Sequence, residues 1–217
     1  MTIKYELLYF KFHGLARLPR LLLDMTGESW QDRYPQDWDK EKQDQPFLHI
    51  PVLTDFQEDG SKFILAESSA INRYLAEKAG LMGSNARETA LISQFYESWG
   101  EIHQKYWPLT YQFNDMLSAE QIDKQMSDLR EKIIVPILTK HDQALAKNPS
   151  GFYVGDKVST SSDWMSLADV AAAASLPLFD YKNQVTKETH PHLFALHEKL
   201  SNHKAFKAQE ARFPGKC

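Results

Sequence analysis

The stretch that decides the fold begins with His49-Ile50-Pro51-Val52-Leu53 and continues to Leu75. A polar turn, Gln57-Glu58-Asp59-Gly60-Ser61, separates this apolar run from a second one, Phe63-Ile64-Leu65. The segment Glu67-Ser68-Ser69-Ala70-Ile71-Asn72-Arg73-Tyr74-Leu75 follows directly. Two short apolar runs around a turn that contains glycine predict a β-hairpin, and the last segment predicts a helix.

The proline at the start of this hairpin suggests where a ligand binds. Pro51 cannot donate to a sheet ladder, and it restricts Ile50 to extended backbone conformations. If the Ile50–Pro51 bond is also cis, the N–H and C=O groups of Ile50 face outward. These groups would then be able to pair, as a strand does, with the backbone of a small peptide.

The helix that Ser68 opens favours a different chemical group. Its first N–H groups and the positive end of its dipole attract a carboxylate, and Glu67 beside them can bind an ammonium. The stretch therefore predicts a site for an extended peptide at one end and an α-amino acid head group at the other. The alternative is a hairpin with an edge proline and a Ser-capped helix, which many α/β proteins contain without any such ligand.

The bulk properties exclude several classes of function. The chain has 217 residues, 42% of them hydrophobic, so it can bury a sizeable core in one or two domains. Its net charge of -4 comes from interspersed acids and bases, which argues against a nucleic-acid surface or a polybasic membrane patch. The single cysteine, Cys217, excludes an internal disulfide, and no apolar run suggests a signal peptide or a membrane span. We therefore expect a cytoplasmic protein.

The pattern before the hairpin completes an α/β domain over residues 1–79. Alternating residues predict a first strand that ends near Tyr9, and Gly14 breaks it. Helical spacing follows until Gly27, and a short strand is possible at Trp30–Arg33. The polar stretch 34–46 reads as a loop. This order gives a βαβ-ββα plan.

After a linker at 80–85 the pattern becomes helical, and we predict an all-α second domain over residues 87–217. Apolar residues recur at helical spacing from Leu91 to Tyr106 and again after a capping box at Ser118–Gln121. Pro136 is expected to kink the second of these long helices. Another capping box, Ser166-Leu167-Ala168-Asp169, opens a helix of small residues, and one or two short helices are expected between His190 and Phe206.

Together these motifs resemble the cytosolic glutathione transferases over essentially the full chain. The hairpin and helix match the I-P-x-L…E-S-x-A-I-x-x-Y-L pattern of their thioredoxin-like domain. The segments Gly151-Phe152-Tyr153-Val154-Gly155-Asp156 and Ser166–Asp169 match the helical domain. Tyr9-Phe10 at the end of the first strand is similar to the tyrosine-type classes, sigma in particular.

The resemblance implies a role for each matching residue. Tyr9 would donate a hydrogen bond to the glutathione sulfur and so stabilise its thiolate; the alternative is that Tyr9 is only the last inward residue of the strand. The ligand γ-Glu-Cys-Gly would take its other contacts from Trp38 and Lys42 at the glycine end, Ile50 and cis-Pro51 at the cysteinyl backbone, Glu67 and Ser68 at the γ-glutamyl end, and Glu97 of a partner subunit.

Two features depart from the family pattern. Tyrosine-type classes often carry an Arg-Gly-Arg run where this chain has His13-Gly14-Leu15, so cationic assistance to the thiolate is expected to be reduced or missing. The loop between Asp156 and Ser166 is also longer than usual.

The second substrate would contact aromatic residues near the first strand and the first long helix. We assign this role to Phe10, Phe12, Trp107 and Tyr111, which suit hydrophobic electrophiles; each of the four could instead belong to the core. The chain has eight histidines, which raises the question of a metal site. His190, His192, His197 and His203 include no helical i, i+4 pair, so no metal is expected.

The predicted function is conjugation of glutathione, as co-substrate, to hydrophobic electrophiles. The alternatives are a glutathione-dependent isomerase or peroxidase, and a non-catalytic binding or structural protein of the same fold. The expected partners are small molecules and a second copy of the chain, with Phe47 at the dimer interface; neither nucleic acid nor a membrane is expected.

Overall fold

The computed structural model describes residues 2–112, 116–155 and 165–214, apart from the side chains of Tyr111 and Gln112. The chain forms two compact units. Unit 1 contains Met1–Met82 and Asn202–Cys217, and unit 2 contains Gly83–Ser201.

Unit 1 is an α/β structure. Its elements, in chain order, are β1 (Tyr5–Leu8), α1 (Arg17–Thr26), β2 (Trp30–Arg33), α2 (Trp38–Glu41), β3 (Val52–Phe56), β4 (Lys62–Ala66), α3 (Ser68–Lys78) and, from the end of the chain, α9 (Lys204–Arg212). The expected βαβ-ββα order is therefore present. The helix α2 was not expected, since a single turn in a polar stretch has no periodicity. Helix α2 forms because Asp37 caps its start: the Asp37 carboxylate accepts the N–H of Lys40.

The four strands form one sheet in the order β2-β1-β3-β4. Strand β1 runs parallel to β2, with Tyr5 opposite Trp30, and antiparallel to β3, with Leu8 opposite Val52. The hairpin β3–β4 is antiparallel, as its sequence predicts. This order places the end of β1 beside the start of β3, so Tyr9 and the Ile50–Pro51 dipeptide follow and precede adjacent strands.

The core of unit 1 is formed by apolar residues of the central strands and of two helices. Leu7 of β1 and Leu53 of β3 are fully buried, as are Leu22 of α1 and Ile71 and Leu75 of α3. Helices α1 and α3 contact each other. The elements that carry Tyr9 and Ser68 therefore share one core.

Among its described residues, unit 2 has only helical regular structure. Its α-helices are α4 (Ala86–Trp107), α5 (Ala119–Leu129), α6 (Val135–Ala146), α7 (Leu167–Ser175) and α8 (Pro191–Ser201). The Asn85 side chain caps α4 by accepting the N–H groups of Arg87 and Glu88. The predicted interruption near Pro136 takes the form of a π-helical segment, Arg130–Ile134, between α5 and α6. Proline has no N–H to continue an α-helical ladder, which explains the break.

Helix α7 is the centre of unit 2, because every one of its residues is buried. The predicted capping box is formed: the Asp169 carboxylate accepts both the N–H and the hydroxyl of Ser166, each at 2.7 Å. Its other oxygen accepts the N–H of Tyr153 at 2.9 Å. Burial raises the pKa of Asp169 to about 6, against the lowering effect of these hydrogen bonds. One carboxylate thus ties the start of α7 to the segment before it.

The compact units differ from the predicted domain limits, 1–79 and 87–217, at the end of the chain. Helix α9 follows unit 2 in sequence, yet it contacts α1 of unit 1. Its sequence has the same helical character as α8, so no local pattern indicates where it packs. Between residues 2 and 214, the described helices include none that is long and apolar enough to cross a membrane.

Removing the Asp169 carboxylate is expected to destabilise the protein strongly. Asp169→Ala leaves the buried N–H groups of Ser166 and Tyr153 without partners, at about 1–3 kcal/mol each. We expect a loss of about 3 kcal/mol in the free energy of unfolding, measured by urea denaturation.

The capping box of α5 provides a matched control, because Ser118 and Gln121 form the same motif at an exposed helix start. Gln121→Ala should cost less than about 1 kcal/mol. Equal losses in the two variants would contradict a special role for the buried box.

Candidate functional site

Tyr9 lies directly after β1, where its N–H donates to the carbonyl of Arg33 at 3.1 Å. The side chain is 7% exposed, and its hydroxyl oxygen accepts the N–H of Leu15 at 3.1 Å. The hydroxyl is thus held in a fixed position at the edge of unit 1.

Gly14 allows the chain to turn back over this hydroxyl. It has a φ of +41°, and a Cβ at this position would lie 2.6 Å from the Tyr9 hydroxyl oxygen and 2.7 Å from the Phe12 ring. No larger residue fits without displacing Tyr9 or Phe12. The glycine that ends the predicted strand therefore also shapes the surroundings of Tyr9.

Aromatic rings continue from Tyr9. Phe10 and Phe12 stack at 5.9 Å between ring centroids, and both contact the Tyr9 ring edge to face. Phe10 also meets Trp38 at 5.8 Å. Phe12 is exposed, so this group offers apolar surface to a ligand. Phe10, Phe12 and Trp38 were all predicted as site residues, and the structure brings them together in one cluster.

A buried arginine that the sequence analysis missed lies behind this turn. Arg20, on α1, is 0% exposed and donates to Asp32 at 2.8 Å and to the carbonyls of Phe12 and Phe10 at 2.6 and 3.1 Å. Its guanidinium carbon lies 6.0 Å from the centre of the Tyr9 ring. A cation therefore lies near Tyr9 although His13-Gly14-Leu15 replaces the Arg-Gly-Arg run. The sequence contained one indication of this role: Arg20 is a charged residue among the apolar residues that α1 buries.

Trp38 begins α2, and Lys42, four residues later, directly follows the last residue of that helix. Neighbouring charges are paired: Arg33 binds Glu41 at 2.6 Å, and Lys40 binds Asp37 at 2.7 Å. Within residues 2–112, 116–155 and 165–214, in contrast, Lys42 makes no ion pair, and the Trp38 indole N–H makes no hydrogen bond. Both residues are half-buried. This pair could hold a carboxylate.

The Ile50–Pro51 peptide bond is cis, which was the conformation considered from the sequence. Ile50 is buried, and its backbone N–H and C=O make no hydrogen bond to any part of the chain that the structure describes. Strand β3 begins two residues later, at Val52. The dipeptide therefore presents unpaired main-chain groups at the position where a peptide ligand was expected to pair.

Helix α3 begins at Ser68, as the sequence predicts, but Ser68 is not the capping residue. Ser68 is the first helical residue, and Glu67 occupies the capping position with a φ of +69°, without a side-chain capping bond. A positive φ is strained for a residue other than glycine and is enriched at functional sites. The Ser68 hydroxyl has no partner among the described residues.

The Glu67 carboxylate lies 2.9 Å from the Nε2 atom of His49, a contact that the sequence analysis did not foresee. Both side chains are about half exposed. His49 stands immediately before Ile50, so its position was known, but its direction depends on the backbone turn at Leu48, where φ is +60°.

Three predicted residues belong to unit 2. The Trp107 indole donates to Nδ1 of His103 at 2.8 Å, and Nε2 of His103 lies 2.8 Å from the Ser175 hydroxyl. Since Nδ1 accepts, Nε2 carries the proton. Burial lowers the pKa of His103 to about 4, which keeps the ring neutral.

Glu97 is exposed on α4, and the Tyr111 side chain lies outside the described residues, as does most of the Asp156–Ser166 loop.

The histidines near the end of the chain have structural contacts. His190 lies 3.2 Å from the Thr139 hydroxyl, His192 lies 3.1 Å from Asp142, His197 donates to the carbonyl of Ala173, and His203 caps α9. The described residues include no group of three or more His, Cys, Asp or Glu side chains placed to hold a metal ion.

Comparison with known proteins identifies relatives of both units. A family model described as "Glutathione S-transferase, C-terminal domain" matches residues 100–210. Glutathione S-transferase 4 of Caenorhabditis elegans is 31% identical over 174 residues, which cover 79% of this chain and 78% of the relative. Hematopoietic prostaglandin D synthase of Gallus gallus is 30% identical over 202 residues, covering 90% and 89%. The structure of the Onchocerca volvulus Pi-class glutathione S-transferase aligns with a TM-score of 0.75 and 27% identity, covering 99% of this chain and 100% of that one.

Proposed function

The chain belongs to the glutathione S-transferase family, and we propose that it joins the sulfur of glutathione to hydrophobic electrophiles, with Tyr9 as the catalytic residue. This family membership makes the protein a glutathione transferase. The unpaired main-chain groups of Ile50 beside Pro51 carry the assignment of the glutathione site, because an extended peptide needs such groups to pair with. Within the family we place the chain nearest the sigma class, on the strength of Tyr9-Phe10.

The proposed orientation of glutathione follows the chemistry of unit 1. The cysteinyl backbone pairs with Ile50, and the glycine carboxylate lies between the Lys42 ammonium and the Trp38 indole N–H. At the other end, the γ-glutamyl carboxylate meets the Ser68 hydroxyl and the first N–H groups of α3. The ammonium binds Glu67, and in a homodimer it also binds Glu97 of the partner subunit.

Tyr9 lowers the cost of forming the thiolate. A free thiol has a pKa near 8.5, so only a few per cent is ionised at neutral pH. A hydrogen bond from the Tyr9 hydroxyl stabilises the anion more than the thiol. The thiol proton passes to solvent, and the sulfur forms a bond to the electrophilic carbon. With an aryl halide, the halide leaves with the electron pair of the broken bond.

Phe10 and Phe12 are proposed to contact the electrophile, because their stacked rings adjoin Tyr9 and Phe12 is exposed. Trp107 and Tyr111 stay predictions. We further propose a role in detoxification in the cytoplasm. The relative named as a prostaglandin D synthase makes isomerisation the second activity to assay, beside hydroperoxide reduction.

Tyr9→Phe is expected to lower the rate of conjugation to a generic aryl halide. Because the thiol pKa returns toward 8.5, turnover at pH 6.5 should fall about tenfold or more, while glutathione affinity stays within a few fold. Tyr5→Phe serves as the matched control, since it removes a tyrosine hydroxyl at the start of β1, outside the proposed site. Full activity in Tyr9→Phe would remove Tyr9 from the mechanism.

Lys42→Ala and Ser68→Ala should each weaken glutathione binding, measured by calorimetry. Loss of a hydrogen bond to a charged group costs about 1–3 kcal/mol, or about 5- to 150-fold in Kd. Lys40→Ala and Ser69→Ala are the neighbouring controls, because Lys40 already pairs with Asp37 and Ser69 is exposed. If the controls weaken binding as much as the site variants do, glutathione lies elsewhere.

Phe47→Ala should weaken the proposed homodimer. Phe47 is 59% exposed in unit 1, which supports an interface position, and loss of a central interface aromatic typically costs about 2 kcal/mol, or about thirtyfold in affinity. Since Ile50 and Pro51 lie on the same loop, glutathione affinity should fall as well. Sedimentation and glutathione titration measure both effects, with Phe63→Ala, at a phenylalanine of β4 that is 43% exposed, as a comparison. A variant as tightly dimeric as the wild type would exclude Phe47 from the interface.

A further inference from the structure

The end of the chain is fixed to unit 1 through α9. The Gln209 side chain donates to the Asp24 carboxylate at 3.0 Å, and the Arg212 guanidinium lies 3.7 Å from the same carboxylate. Arg212 also covers the Trp30 ring at 4.4 Å. These contacts anchor α9 to α1 and β2, and they determine where the residue after the helix lies.

That residue is Phe213, which is 3% exposed. Its ring lies 4.4 Å from the centre of the Arg20 guanidinium, at a distance typical of cation–π contacts. It also meets the ring of His13 at 5.2 Å. The Phe213 side chain therefore covers Arg20 and His13, which lie beside and within the turn after Tyr9. Phe213 itself is the second-last residue that the structure describes.

The two covered residues control the turn from Tyr9 to Gly14. Arg20 binds the carbonyls of Phe10 and Phe12, which fixes the backbone directly after Tyr9. His13 is itself part of the turn and is 2% exposed. Its Nδ1 atom is buried without a hydrogen-bond partner in the described chain, while the Phe213 ring and a hydrogen bond with the Phe213 backbone hold the imidazole.

The Tyr9 hydroxyl has little freedom to tolerate movement of this turn. Leu15 donates to its oxygen from the far side of the turn, and the Gly14 backbone closes over it so tightly that a Cβ would lie at 2.6 Å. A displacement of the turn must therefore move the hydroxyl or break its bond from Leu15. Errors of about 1 Å in a catalytic group can cost about a hundredfold in rate.

We propose that Phe213 is a positioning residue for Tyr9: it holds Arg20 and His13 in place, so that the turn presents the Tyr9 hydroxyl to the sulfur of glutathione. The inference rests on the proposed role of Tyr9, but Phe213 itself touches neither substrate. Without the aromatic ring, water reaches the guanidinium and competes with the carbonyls of Phe10 and Phe12 for its N–H groups.

The main test compares Phe213→Ala with the wild type in the full-length protein. We expect kcat for aryl-halide conjugation to fall about ten- to a hundredfold, while KM for glutathione stays within twofold, because the proposed binding residues at α2, before β3 and at the start of α3 are untouched. The pKa in the pH profile of kcat/KM should rise toward that of the free thiol. Wild-type values of both kcat and this pKa would overturn the proposal.

A double-mutant cycle with Tyr9→Phe establishes whether Phe213 acts through Tyr9. If it does, Phe213→Ala should cost less than twofold in kcat in the Tyr9→Phe background. An undiminished loss there would show that Phe213 affects activity by another route, and the proposal would fall. If Tyr9→Phe by itself keeps full activity, the proposed role of Tyr9 fails first, so the two failures are distinguishable.

Two further variants separate positioning from loss of fold. Phe213→Leu keeps an apolar cover of similar size but lacks the aromatic face that attracts the guanidinium; it should fold and still show a raised pKa in the rate profile. Gln209→Ala weakens the anchor of α9 without touching Arg20 or His13. If Gln209→Ala reproduces the Phe213→Ala profile, or if Phe213→Leu has the wild-type profile, general docking of α9 explains the effect and the proposal is wrong.

Discussion

The hydrogen bonds of one buried guanidinium determine the shape of the proposed active site. Burying an unpaired charge costs several kcal/mol, so Arg20 is stable inside unit 1 only because Asp32 and the carbonyls of Phe10 and Phe12 surround it. The carbonyls belong to the turn that follows Tyr9, whereas Asp32 belongs to β2. The same cation therefore neutralises a strand carboxylate and fixes the turn that follows Tyr9, the proposed catalytic residue.

The rest of the proposed glutathione site consists of places where regular structure begins or ends. Strand β1 ends before Tyr9, the pairing of β3 begins after Ile50 and Pro51, and α3 begins with Ser68. Backbone groups at such ends have no partner within their own element. In the proposed site a peptide ligand supplies these missing partners.

The sequence predicted those parts of the fold and site that depend on neighbouring residues. Alternation predicted β1, the apolar runs around Gly60 predicted the hairpin, and the Ser166–Asp169 spacing predicted the start of α7. It could not predict the contacts of Arg20 and Phe213, since these contacts join α1, the turn after β1 and α9. The hydrogen bond between Gln209 and Asp24, for example, spans 185 residues of sequence. The contact between His49 and Glu67 was missed for a related reason, because two residues with positive φ set its direction.

The geometry of a guanidinium explains why an aromatic ring is a suitable cover for Arg20. The five N–H groups of arginine donate in the plane of the group and leave its two faces without hydrogen-bond partners. In this chain the in-plane donors bind Asp32 and the two carbonyls, and the ring of Phe213 lies at 4.4 Å, where it attracts the cation without competing for its N–H groups. A lysine at position 20 would concentrate its charge in one ammonium, which cannot bind these three acceptors with the fixed planar arrangement of donors that a guanidinium has. The turn after Tyr9 thus depends on arginine for its shape, and not only on a positive charge.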